Sequence, residues 1–351
     1  METENNINAQ IEQPRIPKLA SIEKIHSIVP HPNPEVERLE CAKIKEWPVV
    51  IPNNTYKEGD LVVFITIDSI VPKENPVFAF MERQKYRIWN ARFKGAPSSG
   101  LVMKISDFEI IPKECSEGDN ITALLNVTKY ERPFDVSIGG KQKGNFPTDL
   151  ISITDEDNAL SYPETFNELE DGRELYITLK NDGSSTSFIC NNGEYKACSR
   201  RFEMQENEGF PWTASNKYDL KNKMTNLGRN LAIQAEAIGP KLNGNRLGLK
   251  EIEIRLFNGK SLDTAKPMGY AELKELASQL GIPMVEEIMI IKYDKSIHTI
   301  EWFRNLADSL KWPTNGQAAE GLVVRPTIPI YSGVLRKAWS VKFINQNYKQ
   351  E

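Results

Sequence analysis

The sequence predicts an α+β protein: a small all-β barrel, then a larger domain of antiparallel sheets with flanking helices. Three observations predict it. From Lys18 to about Tyr130 the apolar segments are short and strand-like, broken at Pro30, Pro52, Gly59, Pro72, Gly95 and Gly118, a spacing typical of small barrels. Between Asn126 and Leu160 the periodicity falls away, and Gly139, Gly140, Lys141, Lys143 and Gly144 read as a mobile basic connector. Beyond Phe146, alternating segments are interleaved with amphipathic helices. A chain of 351 residues is too long for one small core. The expected division is a flexible tail over 1–17, the barrel over 18–130, a linker over 131–145 and the second domain over 146–351.

In the first domain, ASIEKIHSIVP, LECAKIKE, PVVIP, DLVVFITIDSIVP and SGLVMKISDFEIIP are the strand segments, with a short helix or turn over Asn33–Arg38. Asp60 and Asp68 bracket LVVFITI, where turn chemistry is the plain reading and a nucleic-acid or metal contact from Asp68 the sharper one.

In the second domain, Leu175, Ile177 and Leu179 alternate with Tyr176 and Thr178 as in a half-buried strand, which delivers Lys180 to its end just before Asn181-Asp182-Gly183. SFIC, a turn over Asn191–Glu194 and YKACSRR form a hairpin that returns Ser199 and Arg200 toward that lysine. A helix is expected over Tyr218–Arg229, then a strand ending after Glu236, then another over Glu251–Phe257. Tyr270–Leu280 is an amphipathic helix stopped by Gly281, and Trp302, Phe303, Leu306 and Leu310 mark another. The chain then returns to strands: AEGLVVRP places Glu320 ahead of Leu322-Val323-Val324 and Arg325 behind them, and AWSVKFIN aims Lys342 off a strand, into the same cleft as Lys180. Thr154, Asp155 and Glu156 stand where they could order over a ligand.

Composition narrows the function. The net charge is -4, from 44 basic and 48 acidic side chains, which excludes a protein that coats nucleic acid indiscriminately. A local basic groove is still allowed. Arg83, Lys85, Arg87, Arg92 and Lys94 stand among Tyr86, Trp89 and Phe93, interleaving phosphate-binding and stacking groups; a solvated strand edge with aromatic anchors is the alternative. No run of ~18 apolar residues occurs. The first residues lack a basic-then-apolar signal pattern, and Cys41, Cys115, Cys190 and Cys198 lack paired metal spacing, so an intracellular location and no structural zinc are expected.

A lone lysine at a rigid strand edge, followed by a short acid, a glycine and the hydroxyls of Ser184 and Ser185, suits an amine that attacks phosphorus, provided that its pKa is lowered. A solvated lysine beside an Asp-Gly turn is the alternative. Distant segments decide between them. Lys180-Asn181-Asp182-Gly183, Ser199-Arg200, Glu236, the strand Ile254–Asn258, Glu320 to Arg325 and Ser340-Val341-Lys342 follow the order of the six motifs of the covalent nucleotidyltransferases, and the chain resembles that superfamily of polynucleotide ligases and messenger RNA capping enzymes. LASIEKIHSIVPHP, YKEGDLVVFITIDSIVP and FKGAPSSGLVMKI resemble the amino-terminal OB module of the RNA ligase family found in Deinococcus and Naegleria, and FPTDLISITDE, EGLVVRP and WSVKFIN extend the resemblance over nearly the full chain.

The resemblance implies an OB-type β-barrel followed by a nucleotidyltransferase domain of ATP-grasp-like ligase type. It implies that Lys180 attacks ATP to form lysyl-AMP, that AMP passes to an RNA 5'-phosphate, and that a 3'-hydroxyl displaces it, with Mg2+ or Mn2+ required. Asp182 and Gly183 then belong to the nucleotide site, Arg200 to the phosphates, Glu236 to the ribose and Phe257 to the adenine face. Glu320 and Asp182 would serve the metal, Lys342 the α-phosphate, and Arg87, Arg92, Lys94 and Arg325 the RNA, which is expected to be a nicked duplex bound by a monomer. Three positions depart from the family pattern: Leu179 where glutamate is usual, Ala235 where glycine is common, and Ser340 where a first lysine often stands. A capping-type guanylyltransferase and a non-catalytic RNA-binding protein on a ligase fold are the alternative readings.

Overall fold

A computed structural model describes residues 17–131 and 136–348. The chain forms two compact units that divide between Glu131 and Arg132. The tail expected over 1–17 lies, Pro17 apart, outside the described residues.

The first unit is all-β as expected, an antiparallel sheet curled into a half-barrel. Its strands are β1 (Ala20–Pro30), β2 (Leu39–Ile44), β3 (Trp47–Pro52), β4 (Leu61–Ile65), β5 (Ser69–Ile70), β6 (Arg87–Ile88), β7 (Asn90–Phe93), β8 (Ala96–Ser99), β9 (Leu101–Lys104) and β10 (Thr128–Lys129). The main sheet runs β3-β2-β1-β4-β9. β1 changes partner along its length: Ala20–Lys24 pairs with β4 and Ile25–Pro30 with β2, across a bulge between Ile25 and Ser27. Such a bulge bends a strand, which is how one sheet curls toward closure. Ile22, Val63, Ile65 and Val71 fill the interior with Phe78 and Met81, which a 3-10 helix over Pro76–Gln84 supplies. Asn33–Arg38 forms turns, as one of the two expected alternatives.

The second unit begins with α1 (Val136–Gly139), β11 (Gln142–Asn145) and β12 (Asp157–Asn158). The stretch read as a mobile connector is therefore partly ordered structure. The next strands are β13 (Glu174–Lys180), β14 (Ser184–Asn191), β15 (Glu194–Ser199) and β16 (Phe202–Met204), and β11 pairs antiparallel with β16. Gly140 explains the packing before it, since a Cβ there would lie 2.4 Å from the Gly209 nitrogen. The expected helix over Tyr218–Arg229 is present but shorter, as α3 (Leu220–Asn226), and an unexpected α2 (Gly209–Tyr218) precedes it, with Asp219 left-handed between them at φ 55. FPWTASNKY has no clear apolar period, so α2 gives little sequence signal.

The remaining elements are β17 (Leu231–Ile238), β18 (Glu253–Ser261), α4 (Tyr270–Leu280), β19 (Glu287–Lys292), α5 (Ile300–Ser309), β20 (Gly321–Pro326), β21 (Tyr331–Ser332), β22 (Lys337–Ala338) and β23 (Val341–Ile344). One sheet runs β11-β16-β15-β14-β17-β18 and the other β12-β23-β20-β13-β19. Phe210, Trp212, Leu220, Met224, Leu273, Leu276 and Leu280 of the helices pack on Phe188, Ile233, Ile254 and Leu256 of the first sheet. Phe303 of α5 stacks on Phe343 of the second at 5.3 Å. Apolar burial of this extent is the main stabilising term of such a unit. Among the described residues no helix is long and apolar enough to cross a membrane.

Candidate active site

β13 ends in one sheet at Lys180, and β14 begins in the other at Ser184. Asn181, Asp182 and Gly183 make the crossing. β13 is buried on both faces from Leu175 to Leu179, not half-buried as the alternation predicts, because Tyr176 and Thr178 are covered as well. Lys180 is thus held on a stiff element. Gly183 lies so close to β17 that a Cβ would come 2.2 Å from the Ala237 carbonyl oxygen. Its N–H donates to Glu236 Oε1 at 3.0 Å.

The register of β13 with β20 sets Lys180 opposite Gly321, beside Glu320. The Lys180 Nζ donates to Glu320 Oε1 at 2.7 Å. Burial disfavours the ammonium, but Glu320, then Glu236 and Asp182, outweigh it and hold the Lys180 pKa above the ordinary lysine value. The lowered pKa that nucleophilic attack requires is therefore not a property of the protein groups alone. Glu236 is pushed up to about 8, first by burial and then by Glu320 and Asp182, with Lys180 acting against them. Glu320 is also raised by burial, opposed first by Lys180, while Lys342 on β23 favours its charged form.

Asp182 is engaged on both oxygens. Asn243 Nδ2 donates to Oδ1 at 2.9 Å, the Tyr348 hydroxyl donates to Oδ2, and Arg246 Nε lies 3.4 Å from Oδ2. Of the two acids expected at a metal, only Glu320 presents an open oxygen: its Oε2 is buried without a hydrogen-bond partner. An orphaned carboxylate oxygen beside two further acids fits a divalent cation. No cage of three or more His, Cys, Asp or Glu ligands forms among the described residues, so such an ion would keep water or substrate oxygens in its shell.

Arg200 follows β15 and lies 3.7 Å from Asp155, with its side chain 43% exposed. Its charge favours the ionised form of Glu236, as the least of the influences on that carboxyl. Phe257 is half-buried on β18. Arg325, expected to meet RNA, has its guanidinium engaged within the fold: Nε donates to Ser340 Oγ at 2.8 Å, Nη1 to the Phe257 carbonyl at 3.0 Å, and Nη2 to Glu156 at 2.5 Å. Burial opposes the Glu156 carboxylate, yet Arg325, then Lys337 and Ser340, bring its pKa down to about 2. Thr154 Oγ1 meets Ser185 Oγ at 3.2 Å, so the segment before β12 straps both sheets. Ser340 thereby has a use: its hydroxyl receives Arg325, where a lysine would bring a second cation. Leu179 packs with Ile238, Leu247, Trp312 and Ala319, apolar surroundings in which a glutamate would lack partners.

In the first unit the basic cluster divides. Arg87 is buried, 3.5 Å from Asp68, with its guanidinium 3.5 Å from the Tyr130 ring centroid, so it is a packing cation and not an open RNA contact. Arg92, Phe93 and Lys94 are exposed on the β7–β8 ribbon, and Trp89 is exposed beside it. Lys94 and Gly95 turn that ribbon with φ 50 and 98, as a tight two-residue hairpin requires.

Sequence reasoning missed Asn243, Arg246 and Tyr348. The Gly-Asn-rich run from Gly239 to Gly248 marks the first two as loop residues, and Tyr348 carries no periodic signal.

An RNA ligase family profile matches residues 173–341, and an OB-fold domain profile matches residues 19–105. The second unit is similar to the RNA ligase family over residues 173–341. Among solved structures it is similar to Naegleria gruberi RNA ligase with PPi, at 28% identity and a TM-score of 0.81, over 95% of this chain and 98% of that one. A lysine-to-methionine variant of the Naegleria gruberi RNA ligase, with AMP and Mn, gives 28% identity and a TM-score of 0.82 over the same shares. A lysine-to-alanine variant with ATP and Mn gives 28% and 0.82, over 94% of this chain and 98% of that one. No curated protein matches the chain. The RNA ligase match spans every element that carries Lys180, Glu236 and Glu320.

Proposed function

We propose that the protein is an ATP-dependent RNA ligase that joins 3'-hydroxyl and 5'-phosphate ends, with a nicked duplex as substrate. The observation that carries this reading is Lys180 at the crossing of two sheets, paired at 2.7 Å with Glu320 and facing Glu236 and Asp182. The Naegleria structures with ATP or AMP and Mn support ATP as the nucleotide.

In the first step the deprotonated Lys180 Nζ forms a bond to the α-phosphorus of ATP, and pyrophosphate leaves. Charge building on the phosphate oxygens is met by Lys342 and Arg200. Glu236 and the loop fixed by Gly183 seat the ribose, and Phe257 stacks on the base. The RNA 5'-phosphate then takes AMP from Lys180, restoring the amine. Attack by the 3'-hydroxyl on the activated phosphate releases AMP and closes the strand. Glu320, through its unpartnered oxygen, would hold Mg2+ or Mn2+, and Asp182, whose oxygens Asn243, Tyr348 and Arg246 already engage, would add negative charge nearby. When bound, the ion offsets the carboxylate charge that keeps Lys180 protonated and the charge of the phosphates. Arg92 and Lys94 contact the RNA on its 3'-hydroxyl side, where 2'-hydroxyl contacts distinguish RNA from DNA.

The test is covalent labelling with α-labelled ATP or GTP, in manganese or magnesium, for the wild type and Lys180→Ala. A band from ATP alone that is absent in the variant is the expected result. Labelling by GTP would redirect the reading to capping chemistry, and binding of RNA with no label would leave a non-catalytic factor. Nicks ending in ribose or deoxyribose then test the substrate: equal sealing rates would remove the proposed ribose sensing.

A further inference from the structure

The segment after β23 reaches back into the site at two points. The Asn345 N–H donates to the Glu320 carbonyl at 2.9 Å, and Asn345 Nδ2 donates to the Leu310 carbonyl at 3.1 Å. The Tyr348 N–H closes a turn on the Asn345 carbonyl at 3.1 Å, and the Tyr348 hydroxyl meets Asp182 Oδ2. Asn345 is fully buried and Tyr348 is 5% exposed. The Arg246 guanidinium lies 5.1 Å from the centre of the Tyr348 ring while its Nε faces the same Asp182 oxygen, and Asn243 Nδ2 bridges Asp182 Oδ1 and the Gly183 carbonyl.

We propose that Tyr348 is a positioning residue, the tip of a clasp that fixes Asp182, and with it the Asn181–Gly183 crossing, so that Lys180 is held at its attack position. This rests on the reading of Lys180 as the nucleophile. Asp182 stands two residues beyond Lys180, within the crossing that follows it, so holding Asp182 from both sides limits how far the crossing, and the end of β13 that carries Lys180, can shift. A misplacement of about 1 Å in a reacting group can cost about a hundredfold in rate. Asn345 anchors the same clasp to the backbone of Glu320, so one turn spans the nucleophile loop and its carboxylate partner. Arg246 and Asn243 complete the cradle from the loop after β17. A tyrosine suits this place because its ring fills a buried slot beside Arg246 while its hydroxyl supplies a donor to a charged acceptor.

The experiment compares wild type with Tyr348→Phe, which keeps the ring and removes only the O–H. Single-turnover labelling of the protein from α-labelled ATP is followed across ATP concentrations, with thermal unfolding alongside. The maximal labelling rate should fall by at least about tenfold, the loss expected for one hydrogen bond to a charged group. The half-saturating ATP concentration should stay within about twofold, the signature of a group that acts on the step and not on binding. An unchanged rate overturns the proposal. So does a rise in half-saturating ATP that accounts for the whole loss.

A double-mutant cycle with Asp182→Asn, read by denaturant unfolding, tests the contact without any activity. Non-additive effects support the clasp and additive effects overturn it. Wild-type protein that takes no label would refute the ligase reading, and the unfolding cycle would still judge the Tyr348 contact.

Discussion

Lys180 ends β13 and Glu320 immediately precedes its antiparallel neighbour β20, and the lysine's Nζ stands 2.7 Å from one carboxylate oxygen while the other is buried without a partner. One oxygen balances the lysine and the second remains for a cation. Glu320→Gln removes both functions at nearly constant volume. Labelling of Lys180 should fall by about a hundredfold or more, comparable to losing a preorganised electrostatic contact. Thermal stability should fall as well, since removing one partner of a buried ion pair leaves the other charge uncompensated. Manganese titrations of labelling, beside melting curves, check both statements.

Glu156 gives a pH signature. Its folded pKa of about 2 lies below the ordinary 4.5, so its contribution is fully present above 4.5 and is lost as pH falls toward about 2. That gap corresponds to about 3 kcal/mol. Glu156→Gln should therefore be destabilised by about that amount at pH 7, with the difference from wild type shrinking below pH 4.5. Urea unfolding at pH 7, 5 and 3.5 measures the trend; a difference constant across these values would contradict it.

Gly183→Ala should both destabilise and inactivate. A Cβ at 2.2 Å from the Ala237 carbonyl oxygen forces the crossing away from β17 and pulls its N–H from Glu236. Overpacking of this kind costs about 1–3 kcal/mol. Denaturant unfolding should show that loss, and labelling from ATP should drop more steeply than stability does.

The basic residues of the first unit should separate cleanly. Arg87→Ala removes a buried cation from Asp68 and Tyr130 and should lower that unit's melting temperature. Lys94→Ala should leave stability and lysine labelling unchanged, weaken RNA binding, and reduce the slope of log affinity against log salt by about one contact. Binding titrations at several salt concentrations distinguish the two.

Much of the site was legible because its parts sit on regular elements. Alternation placed Lys180 at a strand end, the Asn-Asn-Gly turn gave the hairpin register, and Glu320 preceding an apolar run gave the neighbouring strand. The supporting residues were not legible, because Asn243, Arg246 and Tyr348 reach Asp182 from irregular segments whose spacing encodes no face. Arg87 and Arg92 carry the same charge five positions apart, yet one is buried against Asp68 and the other lies on an exposed ribbon. Charge clustering alone cannot tell these apart. The run from Gly139 to Gly144 misled for a related reason: Gly140 permits close approach to the Gly209 backbone and Gln142–Asn145 pairs as a strand, which composition reads as looseness.

The crossing from Lys180 to Ser184 has a mechanical side. Three residues span at most about 10 Å, and they are the direct covalent tie between the sheet that carries the lysine and the sheet that carries Glu236. Any ligand that wedges the sheets apart at this point draws on the nucleophile's own strand. Cleft width and lysine position are therefore a single coordinate, and a redesign that enlarges the pocket for a bulkier nucleotide must lengthen this tether or accept a retracted amine.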